Sequence, residues 1–162
     1  MVLHYRNFLV RGWQPGDRSA AAVVIKTVLA EYGLGWEPER TDRDALDVET
    51  HYWKTGGEFW VIEQQAQVVG TAGYYPIERG REAVEIRKMY LLPAVRGLGL
   101  GQFLLEQLEQ AIARRKFQQI WIETASVLEA AVSLYERSGY QQAEGVSTAR
   151  CDLVYVKSIS AP

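Results

Sequence analysis

"MYLLPAVRGLGLGQFLL", residues 89–105, joins an apolar strand-like run to an apolar helix-like run through three glycines at alternating positions, Gly97, Gly99 and Gly101. A helix that starts near Gly97 or Gly99 leaves its first four backbone N–H groups without intrahelical partners, and an N-cap Ser, Thr, Asp or Asn ordinarily takes one of them. From Met89 to Gln102 there is no such residue. The glycines also lack the Cβ atoms that would hold a ligand away from the backbone. A helix N-terminus carries about half a positive charge, and Arg96 sets a full one beside it, which together suit a phosphate or pyrophosphate. The competing reading is a tight strand-to-helix turn solvated by water.

What is absent narrows the ligand. A nucleotide-hydrolysing loop needs Gly-Lys-Ser/Thr, but Gly101 is followed by Gln102 and Phe103, so no lysine reaches a γ-phosphate and no hydroxyl is placed for Mg²⁺. The dinucleotide fingerprint needs a third glycine where Gln102 stands, and a strand ending in an acid about 20 residues on. Glu123 supplies such an acid, yet Gln102 breaks the pattern, and the preceding run of strands reads as an antiparallel meander.

Outward from this stretch, the 162 residues, 48% apolar and 23% charged, fit one compact domain over 1–162. No apolar run approaches the roughly 18 residues of a membrane span, and the opening residues lack the signal-peptide pattern, so the expected location is cytoplasmic, with no membrane partner. Cys151 is the only cysteine, and His4 and His51 are far apart in sequence, so no disulfide and no metal site are expected. The net charge is −2. The longest basic block is "ARRK" at 113–116, which suits the carboxyl end of a helix and is no nucleic-acid footprint.

The hydrophobic period places the elements. A first strand is expected over residues 4–10, then a helix capped by Asp17, with Val24, Ile25, Val28, Leu29 and Tyr32 at helical spacing and Gly33 as its stop. Thr41 and Asp44 resemble a capping pair for a second helix through Leu46 and Tyr52. "EFWVIEQ", "QVVGTAGYYPI" and "AVEIRKMYLL" read as three successive strands. Helical spacing returns with Leu104, Leu105, Leu108 and Ile112. "QQIWIET" is a further strand, Ser126 and Glu129 form a capping box for a helix ending before Gly139, and "YQQAE" and "RCDLVYVK" are late strands. The order β-α-α-β-β-β-α-β-α-β-β predicts an α/β, mixed α+β, domain with helices packed on a mixed sheet.

Arg96-Gly97-Leu98-Gly99-Leu100-Gly101 resembles the Arg/Gln-x-x-Gly-x-Gly/Ala signature of the GCN5-related N-acetyltransferase (GNAT) superfamily. The resemblance extends to "EIRKMYLLPAVRGLGLGQFLLEQLE", "IWIETASVLEAAVSLYERSGY" and "VVGTAGYYPI". It implies a mostly antiparallel mixed sheet, splayed between the family's fourth and fifth strands, with about four flanking helices. It also implies acetyl-CoA as cosubstrate. The backbone near Gly97, Leu98, Gly99, Leu100, Gly101 and Gln102, with Arg96, would hold the pyrophosphate, and Met89, Tyr90 and Leu91 would pair with the pantetheine arm. That arm carries two amides and can join an open sheet edge as an added strand, while Pro93 ends the strand it joins.

The resemblance further implies transfer to a primary amine by direct attack, with Tyr135 as general acid and Glu85 as general base. The competing role for Tyr135 is a core aromatic on a stripe with Leu128, Ala131 and Val132; for Glu85 it is an ion pair with Arg87. Strict alternation puts Glu85, Arg87 and Met89 on one face, unless a bulge intervenes. An oxyanion would meet the backbone N–H near Leu91. Relatives often carry an asparagine where this chain has Leu128, a contact that Thr124 or Ser126 would replace. Cys151, read into a late strand, is expected to be structural, and His51 a surface or packing residue. Trp36, Trp53, Tyr74 and Tyr75 are candidates to line the acceptor pocket, with Glu63, Glu85 and Glu123 as its anions. The acceptor amine is unnamed, and a homodimer is compatible with the resemblance. A second function class is an acyl-CoA-binding module of the same fold without catalysis.

Overall fold

The strand β3 (Glu58–Gln64), "EFWVIEQ", is apolar on both sides: Trp60 and Ile62 enter one hydrophobic core, and Phe59 and Val61 enter another. A strand with that pattern belongs at the centre of a sheet covered on both faces. The computed structural model, which describes residues 1–160, shows such a sheet, with eight strands among the described residues.

In chain order the other elements are β1 (Val2–Tyr5), β2 (Phe8–Gly12), α1 (Arg18–Glu31), α2 (Arg43–Leu46), β4 (Gln67–Ile77), β5 (Ala83–Leu91), α3 (Leu100–Arg114), β6 (Gln119–Thr124), α4 (Glu129–Arg137), β7 (Gln141–Ala143) and β8 (Leu153–Ser158). The spatial order is β1-β2-β3-β4-β5-β6-β8-β7, antiparallel throughout except between β5 and β6. Leu100, Leu104, Leu105, Leu108 and Ile112 of α3 fill the first core together with Leu134 and Tyr135 of α4, while Ala21, Ile25 and Leu29 of α1 fill the second.

Two features of β5 shape the site. It pairs with β6 at only three positions, from Ala83 opposite Gln119 to Glu85 opposite Trp121, and beyond them the strands separate. Its register with β4 shifts between Thr71 and Gly73, where Lys88 has a φ of 55° and its carbonyl accepts a 2.7 Å hydrogen bond from the buried Thr71 hydroxyl. This bulge interrupts the alternation expected for the strand. Met89 joins the first core instead of sharing a face with Glu85 and Arg87, and Tyr90 packs on the second.

Several local expectations give way to other contacts. The predicted first strand is a hairpin, β1 and β2, turning at Arg6 (φ 51°) and Asn7 without a glycine or proline to mark it. Asp17 does not cap α1; its carboxylate accepts two 2.8 Å hydrogen bonds from Arg11 and one from the Gln14 amide. The second helix is broken into the four-residue α2 and a π turn at Glu49–Trp53. Thr41 donates to Glu37, and buried Asp44 accepts from the Tyr52 hydroxyl, so neither caps. Ser126 bonds to Asp152, and α4 starts at Glu129 with no side-chain cap.

Gly73 lies opposite the bulge, and a Cβ there would sit 2.6 Å from Phe59 and 2.7 Å from Tyr52, both buried. Overpacking of this kind costs about 1–3 kcal/mol, so Gly73→Ala is expected to lower the urea midpoint with the denaturant slope retained. An unchanged midpoint would show that the ring pair yields freely.

Candidate active site

Where β5 and β6 part, a narrow cleft opens between the two halves of the sheet, lined among others by Glu85, Tyr90, Thr124, Leu128, Tyr135 and Cys151. From Ile86 to Leu91, β5 has no strand partner on its β6 side. Ladder groups left in this way must be met by water or a ligand.

At the far end of β5, a 3₁₀ turn over Pro93–Val95 leads into the glycine loop. Gly97 and Gly99 have φ of 76° and 82°, the left-handed region that glycine enters without steric cost. Gly99 is the N-cap of α3, and no side chain caps it. The amides of Val95 and Arg96 bond back to Leu92 and Pro93, and the first helical bond runs from the Phe103 amide to Gly99. Between them the amides of residues 97–102 have no protein acceptor among the described residues. A Cβ built on Gly101 would lie 3.6 Å from Leu134 and 3.8 Å from Leu91, so this open helix end packs beside α4 and the end of β5.

Arg96 is already engaged. Its Nε donates to the Leu91 carbonyl at 3.0 Å, and its guanidinium grips Glu31 at the end of α1 through contacts of 2.6 and 2.8 Å. Arg96 thus ties the loop to α1, and the loop's unpartnered donors are its backbone amides.

Tyr135 is 4% exposed, packed with Tyr140 and Tyr155 at ring distances of 6.0 and 6.2 Å, and it also lines the cleft. The core stripe and the site wall are thus one surface, since Leu128 and Ala131 line the cleft as well. Burial, with smaller contributions from Tyr90 and Cys151, raises the Tyr135 phenol above its ordinary value and keeps it protonated. Glu85 is buried, with Arg87 3.8 Å away. Burial raises its carboxyl, the Arg87 charge opposes that rise, and Glu123 adds to it. Cys151 lies just ahead of β8, not within it, and faces the cleft; burial pushes its thiol up to about 11.

Behind β5 a second recess of about 350 Å³ is lined by Arg40, Asp44, His51, Tyr75, Arg87 and Ser147, and it shares Thr41, Arg87 and Thr148 with the cleft. Of the four aromatic candidates only Tyr75 lines it. Tyr74 is buried against Glu58, Trp36 packs under Lys26, and Trp53 stacks edge-on to Trp13. Glu63 is paired with Arg11, and Glu123 accepts from the Ser147 and Thr148 amides and holds that loop. His51 lines the recess with Nδ1 on the Asp47 carbonyl. Sequence spacing did not reveal the cluster beside them. Buried Lys88, at the bulge, lies 3.1 Å from Asp42 and 3.2 Å from Asp44, and Asp42 makes two 2.7 Å hydrogen bonds with Arg150. Among the described residues no group of three or more His, Cys, Asp or Glu is set to hold a metal ion, and no helix is long and apolar enough to cross a membrane.

Residues 25–140 match the model of the acetyltransferase (GNAT) family. The chain is 38% identical over 129 residues to the uncharacterized N-acetyltransferase YjgM of Escherichia coli (strain K12), covering 77% of each. It is 31% identical over 101 residues to the probable N-acetyltransferase camello of Xenopus tropicalis, covering 62% of this chain and 46% of that one, so it spans about half the length of that relative. An acetyltransferase of the GNAT family from Staphylococcus aureus Mu50 superposes with a TM-score of 0.86 over 93% of this chain and 98% of the other at 17% identity, which establishes a shared fold.

Burial alone would raise the Asp42 carboxyl, but its bonds to Arg150 and the Lys88 charge outweigh it and hold it below the ordinary carboxylate range. A depressed folded pKa contributes stability that is whole above the unfolded value of about 3.9 and is lost as pH falls through the folded one. Asp42→Asn leaves two buried cations short of a partner and is expected to cost about 3–5 kcal/mol at pH 7. It should also remove part of the acid dependence of stability that the unmodified protein shows below about pH 4. Equal urea midpoints for the two proteins at pH 7 would rule this out.

Proposed function

Because the chain belongs to the acetyltransferase (GNAT) family, we propose that it carries an acetyl group from acetyl-CoA to a primary amine, by direct attack in a ternary complex. The observation that supports this most is the uncapped start of α3, whose unpartnered amides follow the open edge of β5, the strand that lines the cleft together with Tyr135. In this reading the amides of residues 97–102 bind the pyrophosphate. The open edge over Met89, Tyr90 and Leu91 pairs with the pantetheine amides. The thioester then lies between β5 and β6, within reach of Tyr135.

Glu85 takes a proton from the neutral amine as its nitrogen attacks the thioester carbonyl from the side of the second recess. The backbone N–H near Leu91 faces the charge that develops on the carbonyl oxygen. As the carbon–sulfur bond breaks, the Tyr135 phenol gives its proton to the leaving thiolate, and the products are the acetylated amine and CoA. Leu128 offers the arm an apolar contact, and Thr124 is the nearby cleft-lining hydroxyl, since Ser126 is bound to Asp152. We place the reaction in the cytoplasm, where a free Cys151 suits a reducing compartment.

A panel of amines with acetyl-CoA, followed by release of free thiol, tests the activity. Tyr135→Phe is expected to lower kcat by roughly 100-fold or more while CoA affinity holds; unchanged turnover would take Tyr135 out of the mechanism. Tight CoA binding without acceptor-dependent release across the panel would favour a binding module. For Glu85 the sign follows from its raised carboxyl: the base form dominates only above the folded value. Hence kcat/KM should rise with pH through a limb above the ordinary glutamate value of about 4.3. Glu85→Gln should lower kcat/KM and lose that limb, and persistence of the limb would assign it to another group.

A further inference from the structure

Tyr5, at the end of β1, lies 93 positions from the glycine loop in sequence, yet its hydroxyl donates a 2.8 Å hydrogen bond to the Leu98 carbonyl. Its ring is stacked on Phe103 of α3, with centroids 4.7 Å apart and planes at 26°, and the Arg6 guanidinium lies 5.6 Å from the ring centroid. The fit is close, since a Cβ on Gly99 would come within 2.5 Å of the Tyr5 oxygen. Tyr5 also precedes the segment that matches the family model.

The Leu98–Gly99 peptide is trans, as are all the described peptide bonds. In a planar trans unit the C=O and N–H point in opposite directions. A hydroxyl that holds the Leu98 carbonyl on the Tyr5 side therefore turns the Gly99 N–H the other way, to the open side of the loop, where it has no protein acceptor among the described residues. Little else fixes this plane. Gly99 on one side can rotate cheaply, Gly97 lies just before Leu98, and Leu98 is exposed.

We propose that Tyr5 is a positioning residue for the donor: it orients the Leu98–Gly99 peptide so that the Gly99 amide meets the pyrophosphate. This rests on the reading of the loop as the pyrophosphate site. The hydroxyl touches no substrate and acts only through the backbone.

Tyr5→Phe deletes the hydroxyl and keeps the stack on Phe103. Calorimetric titrations of the full chain and of this variant with CoA, and with pantetheine taken to millimolar concentration, separate the possibilities. The expected result is a Kd for CoA raised about 3- to 10-fold in the variant, the effect of one lost hydrogen bond, with the Kd for pantetheine the same in both proteins. Equal CoA affinity in the two proteins, or an equal loss for pantetheine, would overturn the role of Tyr5. If the unmodified protein itself binds CoA no better than pantetheine, the pyrophosphate site is wrong and the inference falls with it.

Discussion

Three residue pairs hold β5 to β6, and the rest of the site depends on where that pairing stops. Had the ladder continued past Glu85, the backbone of Ile86 to Leu91 would have been satisfied within the sheet. As it is, the strands diverge, an edge is left without a strand, and the space between them becomes the cleft. An unpaired edge inside a protein is costly unless water or a ligand meets its polar groups. The same holds for the start of α3, whose amides have neither a cap nor a neighbouring carbonyl. Two deficits of one kind, a missing strand and a missing cap, adjoin each other. An extended molecule with amides along its length and an anion at one end resolves both.

The bulge at Lys88 gives β5 its second task. A strict period of two would have put Met89 with Glu85 and Arg87 on the recess side; the extra residue sends Met89 into the core beneath α3 and keeps the charged side chains behind the strand. The cost is a non-glycine residue in the left-handed region and a buried ammonium whose pKa burial drives down. Asp42 and Asp44 offset that cost from the segment around α2, and Arg150 joins Asp42 from the loop before β8. Buried ion clusters contribute little net stability compared with apolar packing. This one pins two segments that are distant in sequence to the same point on β5, next to Glu85 and Arg87.

That distribution explains what the sequence revealed and what it withheld. β3, β4, β5 and α3 were legible because their apolar period is local, and the open start of α3 was legible because an absence of capping residues over fourteen positions can be read directly. Asp17, Thr41, Asp44 and Ser126 all look like caps by spacing, since a short polar side chain ahead of an apolar run is the usual signal. Their partners are instead Arg11, Glu37, Tyr52 with the Lys88 cluster, and Asp152, and capping spacing carries no trace of that competition. Arg96 belongs with them. Its neighbours in sequence suggest a phosphate, and its neighbour in space is Glu31. The Arg6–Asn7 turn was missed for a different reason: it uses a positive φ at an arginine, where the usual glycine signal is absent.

Burial of the cleft's ionisable groups bears on which charge states they can hold. Burial raises Tyr135, Cys151 and Glu85 alike, because each would have to carry a negative charge away from water. For a thiol near 11 the thiolate fraction at pH 7 is on the order of one in ten thousand, so Cys151 is a poor nucleophile despite facing the cleft. The same environment suits a phenol that must hold its proton until a thiolate forms beside it. Glu85 differs in having Arg87 at 3.8 Å, which limits the rise and leaves it the most readily ionised of the three. Neighbours thus separate the acids, with the Glu85 carboxylate beside a cation and the Tyr135 phenol among the rings of Tyr140 and Tyr155. A covalent relay through Cys151 would need a thiolate that burial disfavours.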